Sequence, residues 1–228
     1  MKKIPRVTIL HVTDLHFYKS YYQWILAQSG SFDVLCITGD LIGEMCPSSK
    51  TNRSQQINWV SDWLEKLTVP TFICSGNHDV DDEIDDDLPD LSELISDAGC
   101  CQPVDESLWL NKIKNPLVFT DNCIHTIGNI TFGCVPYYGY GLDEYYNCDV
   151  LLHHDPPDNS KTCIQAGCAF GSLELYQALI MGTIAPSYVL CGHVHRPLVN
   201  EDKINNSFIS NPGASFDGDR PNHKYVTV

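Results

Sequence analysis

Five short apolar runs in this chain each end in a cluster of Asp, Asn and His side chains. They are Val7–Val12, Val34–Thr38, Thr71–Cys74, Val150–Leu152 and Tyr188–Cys191. The runs are rich in Val, Ile, Leu and Thr, and turn-forming residues follow closely, so each one predicts a buried strand. Ligands in open α/β sheets gather beyond the carboxyl ends of the strands. Five such coincidences in one chain predict that a single site is assembled there.

The side chains in these clusters offer nitrogen and oxygen donors and no thiolate. They are Asp14, His16, Asp40, Asn77, His153, His193 and His195. Asp14 and His16 lie two positions apart, so on an extended chain both project to one side. His193 and His195 have the same spacing. Such donors suit Mn, Fe, Co, Zn or Ni. Seven groups are too many for one ion and fit two divalent ions that share the Asp40 carboxylate. Among these metals, we expect manganese to support activity best.

The size and composition of the chain indicate one soluble domain. At 228 residues it can bury a large core, and 43% hydrophobic and 19% charged residues are ordinary for a globular protein. No apolar run approaches the roughly 20 residues that span a bilayer. Pro5, Arg6, His11 and Asp14 interrupt any apolar signal segment. The eleven cysteines include no CxxC pair. Reduced thiols in the cytoplasm are therefore expected, with no membrane partner.

The strong negative charge limits the choice of partner. A formal net charge of −15 argues against a broad nucleic-acid-binding face. Much of the acidity lies in residues 79–90, which we interpret as a solvated loop. Two divalent ions can make the local field positive in an acidic protein. A small phosphate-ester substrate is therefore compatible with this charge, and the sequence favours no particular oligomeric state.

The remaining patterns predict how the chain is organised. Helical spacing predicts helices at 21–28, 54–67, 90–98 and 172–181. Gly128-Asn129 predicts a hairpin turn, and 207–210 and 225–228 predict closing strands. Strand and helix alternate in the first half, which predicts a parallel sheet, and the later strands predict a second, mixed sheet packed against it. Residues 81–121 form either an insertion that covers the site or a peripheral one.

The five clusters stand in an order that resembles a known family. DLH at 14–16, GD at 39–40, GNHD at 76–79, a histidine shortly before Pro-Pro at 156–157, and GHVH at 192–195 resemble the calcineurin-like metallophosphoesterases. This resemblance covers most of the chain. It implies an α/β fold in a single domain over residues 1–228, with two mixed β-sheets flanked by helices in an α/β/β/α sandwich.

The resemblance also implies a role for each residue. Asp14, His16 and His195 would hold the first ion, Asn77, His153 and His193 would hold the second, and Asp40 would bridge them. His78 would contact the phosphate and donate a proton to the leaving oxygen. Asp79 would orient His78, as a carboxylate commonly orients a working imidazole.

One motif departs from the family pattern. Relatives often read His-His-Pro-Pro, whereas this chain reads His153-His154-Asp155-Pro156-Pro157. The extra Asp155 leaves two histidines as candidates for the same ligand. We take His153 because it directly follows the predicted strand, and His154 would then contact substrate or cap the loop.

The ligand set predicts a phosphoesterase that depends on two metal ions. Two ions in such a site lower the pKa of a water between them, so hydroxide exists near neutral pH. The segments TDLHF and GNHD resemble the class III cyclic-nucleotide phosphodiesterase branch, which implies small phosphodiesters such as cyclic nucleotides as substrates. The alternatives are a nuclease, or a phosphomonoesterase or protein phosphatase, with the same site. A non-catalytic scaffold is the least favoured hypothesis, because the whole ligand set and His78 are retained.

Overall fold

The computed structural model of the protein describes residues 6–43, 51–80, 109–139 and 141–228. The predicted helix at 90–98 and most of the 81–121 segment lie outside the described residues. Within them the chain forms two large sheets, three α-helices and several short turns of 3-10 helix. A two-stranded ribbon, β8 (Ile164–Gln165) and β9 (Cys168–Ala169), lies apart from both large sheets.

The first sheet contains the strands predicted from the first three apolar runs. Its strands are β1 Thr8–Val12, β2 Val34–Thr38, β3 Thr71–Cys74, β4 Val118–Phe119 and β13 His223–Thr227. Their spatial order is β13-β1-β2-β3-β4. β1 to β4 run parallel, and β13 pairs antiparallel with β1. β2 and β3 are buried at every position, which explains why their sequences are continuously apolar.

The second sheet contains the other two predicted ligand-bearing strands. Its strands are β5 Cys123–Ile127, β6 Ile130–Cys134, β7 Val150–Leu152, β10 Tyr188–Leu190, β11 Glu201–Ile204 and β12 Ser207–Ser210. Their order is β11-β12-β10-β7-β6-β5. The four central strands run parallel, and β5 and β11 are antiparallel edges. β5 and β6 form the hairpin expected around Gly128-Asn129.

Three helices cover the outer faces of the sheets. They are α1 Lys19–Ala27, α2 Arg53–Leu64 and α3 Leu173–Met181. A capping box begins α2, where the Asn52 side chain accepts from the backbone N–H of Gln55 at 2.9 Å. The Ser172 hydroxyl caps α3 in the same way at 3.1 Å. Because such caps satisfy free backbone groups, they fix where α2 and α3 begin.

The packing gives the α/β/β/α layers that the sequence predicts. Leu10 and Ile37 of the first sheet pack in one core with Tyr22 of α1 and Trp63 of α2. A second core joins the outer face of the other sheet to α3. The third core lies between the sheets, where the rings of Phe72 and Phe132 stack with centroids 4.3 Å apart. The predicted fold class is confirmed.

One buried polar group ties the two sheets together. His11 of β1 is fully buried, and its Nε2 lies 2.9 Å from the Thr38 hydroxyl on β2. Its Nδ1 lies 3.3 Å from the Ser210 hydroxyl on β12, in the other sheet. Burial lowers the pKa of His11 to about 3, although nearby Asp14 partly opposes the shift. His11 therefore stays neutral in the folded protein near pH 7.

Because His11 is buried and neutral, we expect the free energy of unfolding to depend on pH. As the pH falls below 6.5, the unfolded chain takes up a proton at His11 that the folded protein binds only near pH 3. Stability is therefore lost as the pH falls, by about 2 kcal/mol between pH 7 and pH 5. Urea unfolding at both pH values should show that His11→Gln loses less stability than the wild type. Equal losses in the two proteins would contradict this role of His11.

Candidate metal centre

The loops that follow the parallel strands meet at one edge of the two sheets. Asp14 follows β1, Asp40 follows β2 and Asn77 follows β3. His154 follows β7 and His193 follows β10 in the second sheet. Parallel neighbours place their carboxyl ends side by side, so these side chains converge from both sheets. The structure thus brings together donors that are far apart in the sequence.

The backbone of these loops differs from the sequence-based expectation. The φ angles are 52° at Asp14, 41° at His16, 53° at Asp40 and 63° at His193, all in the left-handed region. The prediction that Asp14 and His16 lie on one extended segment is therefore wrong. A turn brings them together instead, and it is fixed by the His16 N–H, which donates to the Asp40 carbonyl at 2.9 Å. His193 and His195 lie in different clusters, in agreement with the different ions to which the family resemblance assigns them.

Two glycines give these loops the room to approach each other. Gly39 has a φ of 83°, and a Cβ there would collide with Nδ1 of His154. A Cβ on Gly192 would collide with the Thr13 hydroxyl and lie 2.7 Å from the Thr38 carbonyl oxygen. Both positions therefore require glycine, because the neighbouring atoms belong to packed backbone or to site residues.

The first cluster consists of Asp14, His16, Asp40 and His195, whose ligand atoms lie within 4.8 Å of one another. His195 Nε2 lies 3.3 Å from Asp14 Oδ1 and 3.1 Å from His16 Nε2. His16 Nε2 lies 3.9 Å from Asp40 Oδ2. Asp14, His16 and Asp40 are buried. All four predicted residues therefore direct donor atoms to one point.

The second cluster consists of His154, Asp155 and His193, and Asn77 adjoins it. Asn77 Oδ1 lies 3.0 Å from His154 Nε2 and 3.2 Å from His193 Nδ1. Asp40 Oδ1 lies 3.6 Å from His154 Nε2. One oxygen of Asp40 therefore faces each cluster, which is the arrangement needed for a bridging carboxylate.

The choice of His153 over His154 is contradicted by this geometry. The backbone N–H of His153 donates to the Leu190 carbonyl at 3.0 Å, so pairing between β7 and β10 continues one residue beyond Leu152. His153 lies outside both clusters, and its Nδ1 lies 2.8 Å from the Asp155 carbonyl oxygen. His154, the next residue, is the one that reaches Asp40 and Asn77.

The ring of His154 is held in a defined orientation. Its Nδ1 lies 2.8 Å from the carbonyl oxygen of Thr38, so that nitrogen is the donor and Nε2 is turned toward the cluster. A backbone carbonyl that binds one imidazole nitrogen commonly fixes the tautomer of a metal-binding histidine. The adjacent Thr13 hydroxyl lies 2.7 Å from Asp14 Oδ2 and 2.8 Å from the same carbonyl oxygen.

The charges in the crevice shift several pKa values. Burial would raise the pKa of Asp14, but the close approach of His195 and the other nearby histidines lower it to about 2. Burial and the charge of Asp14 raise the pKa of Asp40 to about 6, although His154 opposes this. Burial would lower the pKa of His154, but Asp40 and Asp14 raise it to about 9. Burial lowers the pKa of His16 to about 4.

These donors fit divalent cations. Asp14 Oδ1 is buried and has no hydrogen-bond partner among the described residues. The Nε2 atoms of His16 and His195 lie 3.1 Å apart. When neither nitrogen carries a proton, both present a lone pair to the same space, which a cation can occupy. Oxygen and nitrogen donors turned toward a shared point are typical of sites for such ions.

His78 lies beside the first cluster. Its ring meets the His16 ring edge to face, with centroids 5.1 Å apart. Its backbone N–H donates to Asp40 Oδ1 at 2.9 Å. Burial lowers the pKa of His78, while Asp79 opposes the shift. The half-buried ring is therefore next to the proposed ions without being one of the clustered donors.

Asp79 connects the loops rather than standing alone behind His78. It is fully buried, and its carboxylate accepts from the backbone N–H groups of Leu41 at 2.9 Å, Ile42 at 3.2 Å and Gly76 at 3.0 Å. Burial and the charge of Asp40 raise its pKa to about 7, and the backbone donors oppose this. Asp79 thereby joins the loop that carries Asp40 to the loop that carries Asn77 and His78.

Two aromatic residues that the sequence did not single out flank the clusters. The ring of Phe216 lies 5.2 Å from the His195 ring and stacks on His16 at 6.4 Å between centroids. The Tyr137 ring lies 5.6 Å from the His154 ring on the opposite cluster. Both side chains are half-buried. No periodic pattern marks either position, so packing alone reveals them.

Comparisons with known proteins identify the family and the fold of the chain. The model of the calcineurin-like phosphoesterase family matches residues 7–197. The crystal structure of TT1561 from Thermus thermophilus has a TM-score of 0.57 and 15% identity, covering 92% of this chain and 90% of that one. A structure described as a novel archaeal phosphodiesterase has a TM-score of 0.47 and 12% identity, covering 97% and 99%. No curated protein matches the chain closely enough to count as a relative.

The chain belongs to the calcineurin-like phosphoesterase family, as its motifs predict, and it is a metal-dependent phosphoric ester hydrolase. Members of this family typically hold two divalent ions, and the two clusters on either side of Asp40 are where this chain would hold them. No helix among the described residues is long and apolar enough to cross a membrane.

The two adjacent histidines allow a matched test of the ligand assignment. We expect His154→Ala to lose one of the two bound ions, because it removes a donor from the second cluster. His153→Asn should keep both ions, since His153 only bonds to a backbone carbonyl. Elemental analysis after dialysis against Mn²⁺ measures this, with circular dichroism as a check of folding. Loss of an ion from His153→Asn alone would restore His153 as the ligand.

Proposed function

We propose that this protein is a phosphodiesterase for small substrates, such as cyclic nucleotides, that depends on two divalent ions. Asp14, His16 and His195 would hold the first ion, and Asn77, His154 and His193 would hold the second. The observation that carries the proposal is the position of Asp40, whose two oxygens lie 3.9 Å from His16 Nε2 and 3.6 Å from His154 Nε2. A single carboxylate between two donor sets suits a pair of ions and not an isolated one.

The chain's own residues position the ester and manage its proton. When bound, the ions supply hydroxide near neutral pH and positive charge for the phosphoryl oxygens. His78 stands beside this point and donates a proton to the leaving oxygen, a general-acid contribution typically worth about 10²–10⁴-fold in rate. Asp79 positions His78, because it holds the 76–79 turn against the loop that carries Asp40.

Further properties support a manganese-dependent enzyme that acts on a small diester in the cytoplasm. The formal net charge of −15 opposes long polyanions. Phe216 and Tyr137 offer aromatic faces beside the two clusters, which suits a planar nucleoside base. A mixed set of nitrogen and oxygen donors without thiolate is compatible with manganese, and the many cysteines suit a reducing compartment. We assign all of these functions to a single domain over residues 1–228.

A substrate panel tests this proposal directly. The protein loaded with Mn²⁺, Fe²⁺, Co²⁺, Zn²⁺ or Ni²⁺ should hydrolyse cyclic nucleotides and bis(4-nitrophenyl) phosphate faster than 4-nitrophenyl phosphate. Single-stranded DNA and RNA should be poor substrates. Faster hydrolysis of the monoester would identify a phosphatase instead, and faster hydrolysis of the polynucleotides would identify a nuclease. Absence of hydrolysis for every substrate would contradict catalysis of these esters.

Replacing His78 separates proton donation from metal binding. His78→Ala should keep both ions and lose about 10²–10⁴-fold in kcat with an alkyl leaving group. The loss should be much smaller with 4-nitrophenolate, which leaves without protonation. His125→Ala is a suitable control, because His125 stacks on Phe119 in the sheet and is exposed. An equal loss for both leaving groups would contradict general-acid catalysis.

Phe216 predicts a preference for esters with an aromatic base. Phe216→Ala should raise KM for a cyclic nucleotide about tenfold, because base stacking on an aromatic ring is worth about 1–3 kcal/mol. KM for a small alkyl diester should hardly change. Phe208→Ala, which alters an exposed ring on β12, serves as the control in the same steady-state assays. Equal changes in KM for both diesters would argue against stacking.

A further inference from the structure

We propose that Asp155 is an additional carboxylate ligand of the second metal ion, and that it biases the site toward monoanionic diesters. This inference rests on the proposed function for its substrate preference but not for metal binding. Asp155 is the residue by which this chain departs from the His-His-Pro-Pro pattern of its family. It also belongs to a cluster with His154 and His193, whose ligand atoms lie within 4.8 Å of one another.

The Asp155 carboxylate is turned into the cluster. Its Oδ1 is buried and has no hydrogen-bond partner among the described residues. The same atom lies 3.7 Å from His193 Nδ1, which is the nitrogen that faces Asn77 Oδ1 at 3.2 Å. A buried carboxylate oxygen without a partner is costly unless a cation compensates it. A cation held by His193 and Asn77 would compensate this oxygen.

The backbone around Asp155 is fixed on both sides. His153 Nδ1 lies 2.8 Å from the Asp155 carbonyl oxygen, so His153 positions Asp155 rather than binding the ion itself. On the other side, the Ser172 N–H donates to the Pro156 carbonyl at 2.8 Å. The Asp155 side chain therefore projects from a rigid turn, and its place beside His193 does not depend on a mobile loop.

The extra carboxylate changes both the coordination and the charge of the site. Asp40, Asn77, His154, His193 and Asp155 give the second ion five protein groups, which suits Mn²⁺ or Fe²⁺ better than tetrahedral Zn²⁺. Two divalent ions bring +4, and three carboxylates reduce this to a formal +1 instead of +2. A lower positive charge weakens binding of a dianionic monoester more than binding of a monoanionic diester.

The test measures metal binding and compares two matched substitutions. Asp155→Asn removes the carboxylate with little change in shape, and Asp158→Asn removes the same charge from the same loop outside the cluster. Isothermal titration with Mn²⁺ should show that Asp155→Asn keeps the tighter site and weakens the other by at least about tenfold. Electron paramagnetic resonance should show the coupled Mn²⁺ pair replaced by single ions. Asp158→Asn should resemble the wild type. If Asp155→Asn folds poorly, Asp155→Glu serves as a second variant, because it keeps a carboxylate and should bind Mn²⁺ more tightly than Asp155→Asn does.

Substrate preference provides the second readout. The ratio of kcat/KM for a diester to that for a monoester should fall in Asp155→Asn and stay constant in Asp158→Asn. Unchanged affinity at both Mn²⁺ sites in Asp155→Asn would overturn the inference. A wild-type protein that binds two ions but hydrolyses no ester would contradict the proposed function, while the Mn²⁺ titrations would still decide whether Asp155 is a ligand.

Discussion

The burial of Asp14 and Asp40 beside each other is the condition on which the rest of this structure depends. Two carboxylates in one crevice repel each other, and each is costly to bury without opposing charge. The surrounding loops bring histidine side chains close to both carboxylates. Nε2 of His154 lies 3.6 Å from Asp40 Oδ1, and the Nε2 atoms of His16 and His195 lie 3.9 Å and 3.3 Å from Asp14 Oδ1. Left-handed turns, backbone hydrogen bonds and close-packed glycines all bring these groups within reach of one another, and two cations bound there would complete the same balance.

The sequence predicted the central strands well because burial on both faces leaves a strong pattern. Val34–Thr38, Thr71–Cys74 and Val150–Leu152 agree with β2, β3 and β7. The edges were harder to predict. β4 is only two residues long, and β11 reads Glu-Asp-Lys-Ile, so neither carries a periodic apolar signal. Edge strands are defined mainly by the neighbour that they pair with, and a local pattern does not contain that neighbour.

The donors of the site were predictable to the nearest loop but not always to the nearest residue. A shift of one residue along a strand turns a side chain to the opposite face. Because strand pairing continues through His153, His154 and not His153 points toward the site. The local sequence does not show where that pairing stops. Phe216 was missed for a related reason. It arrives on an irregular segment whose position is set by contacts distant in sequence, such as the Tyr21 hydroxyl, which donates to the Ser215 carbonyl at 2.9 Å.

The late part of the chain supports the early part, and this has a consequence for biosynthesis. β13 covers the edge of β1, with Thr8 opposite Thr227. The Asn211 amide donates to the Gly192 carbonyl at 2.9 Å and to the Val194 carbonyl at 3.2 Å, which holds the loop that carries His193. On the ribosome, a nascent chain that has emerged only as far as β10 exposes an unpaired strand edge. The crevice is complete only after these later residues have left the exit tunnel, so the loop that carries His193 gains its support late in translation.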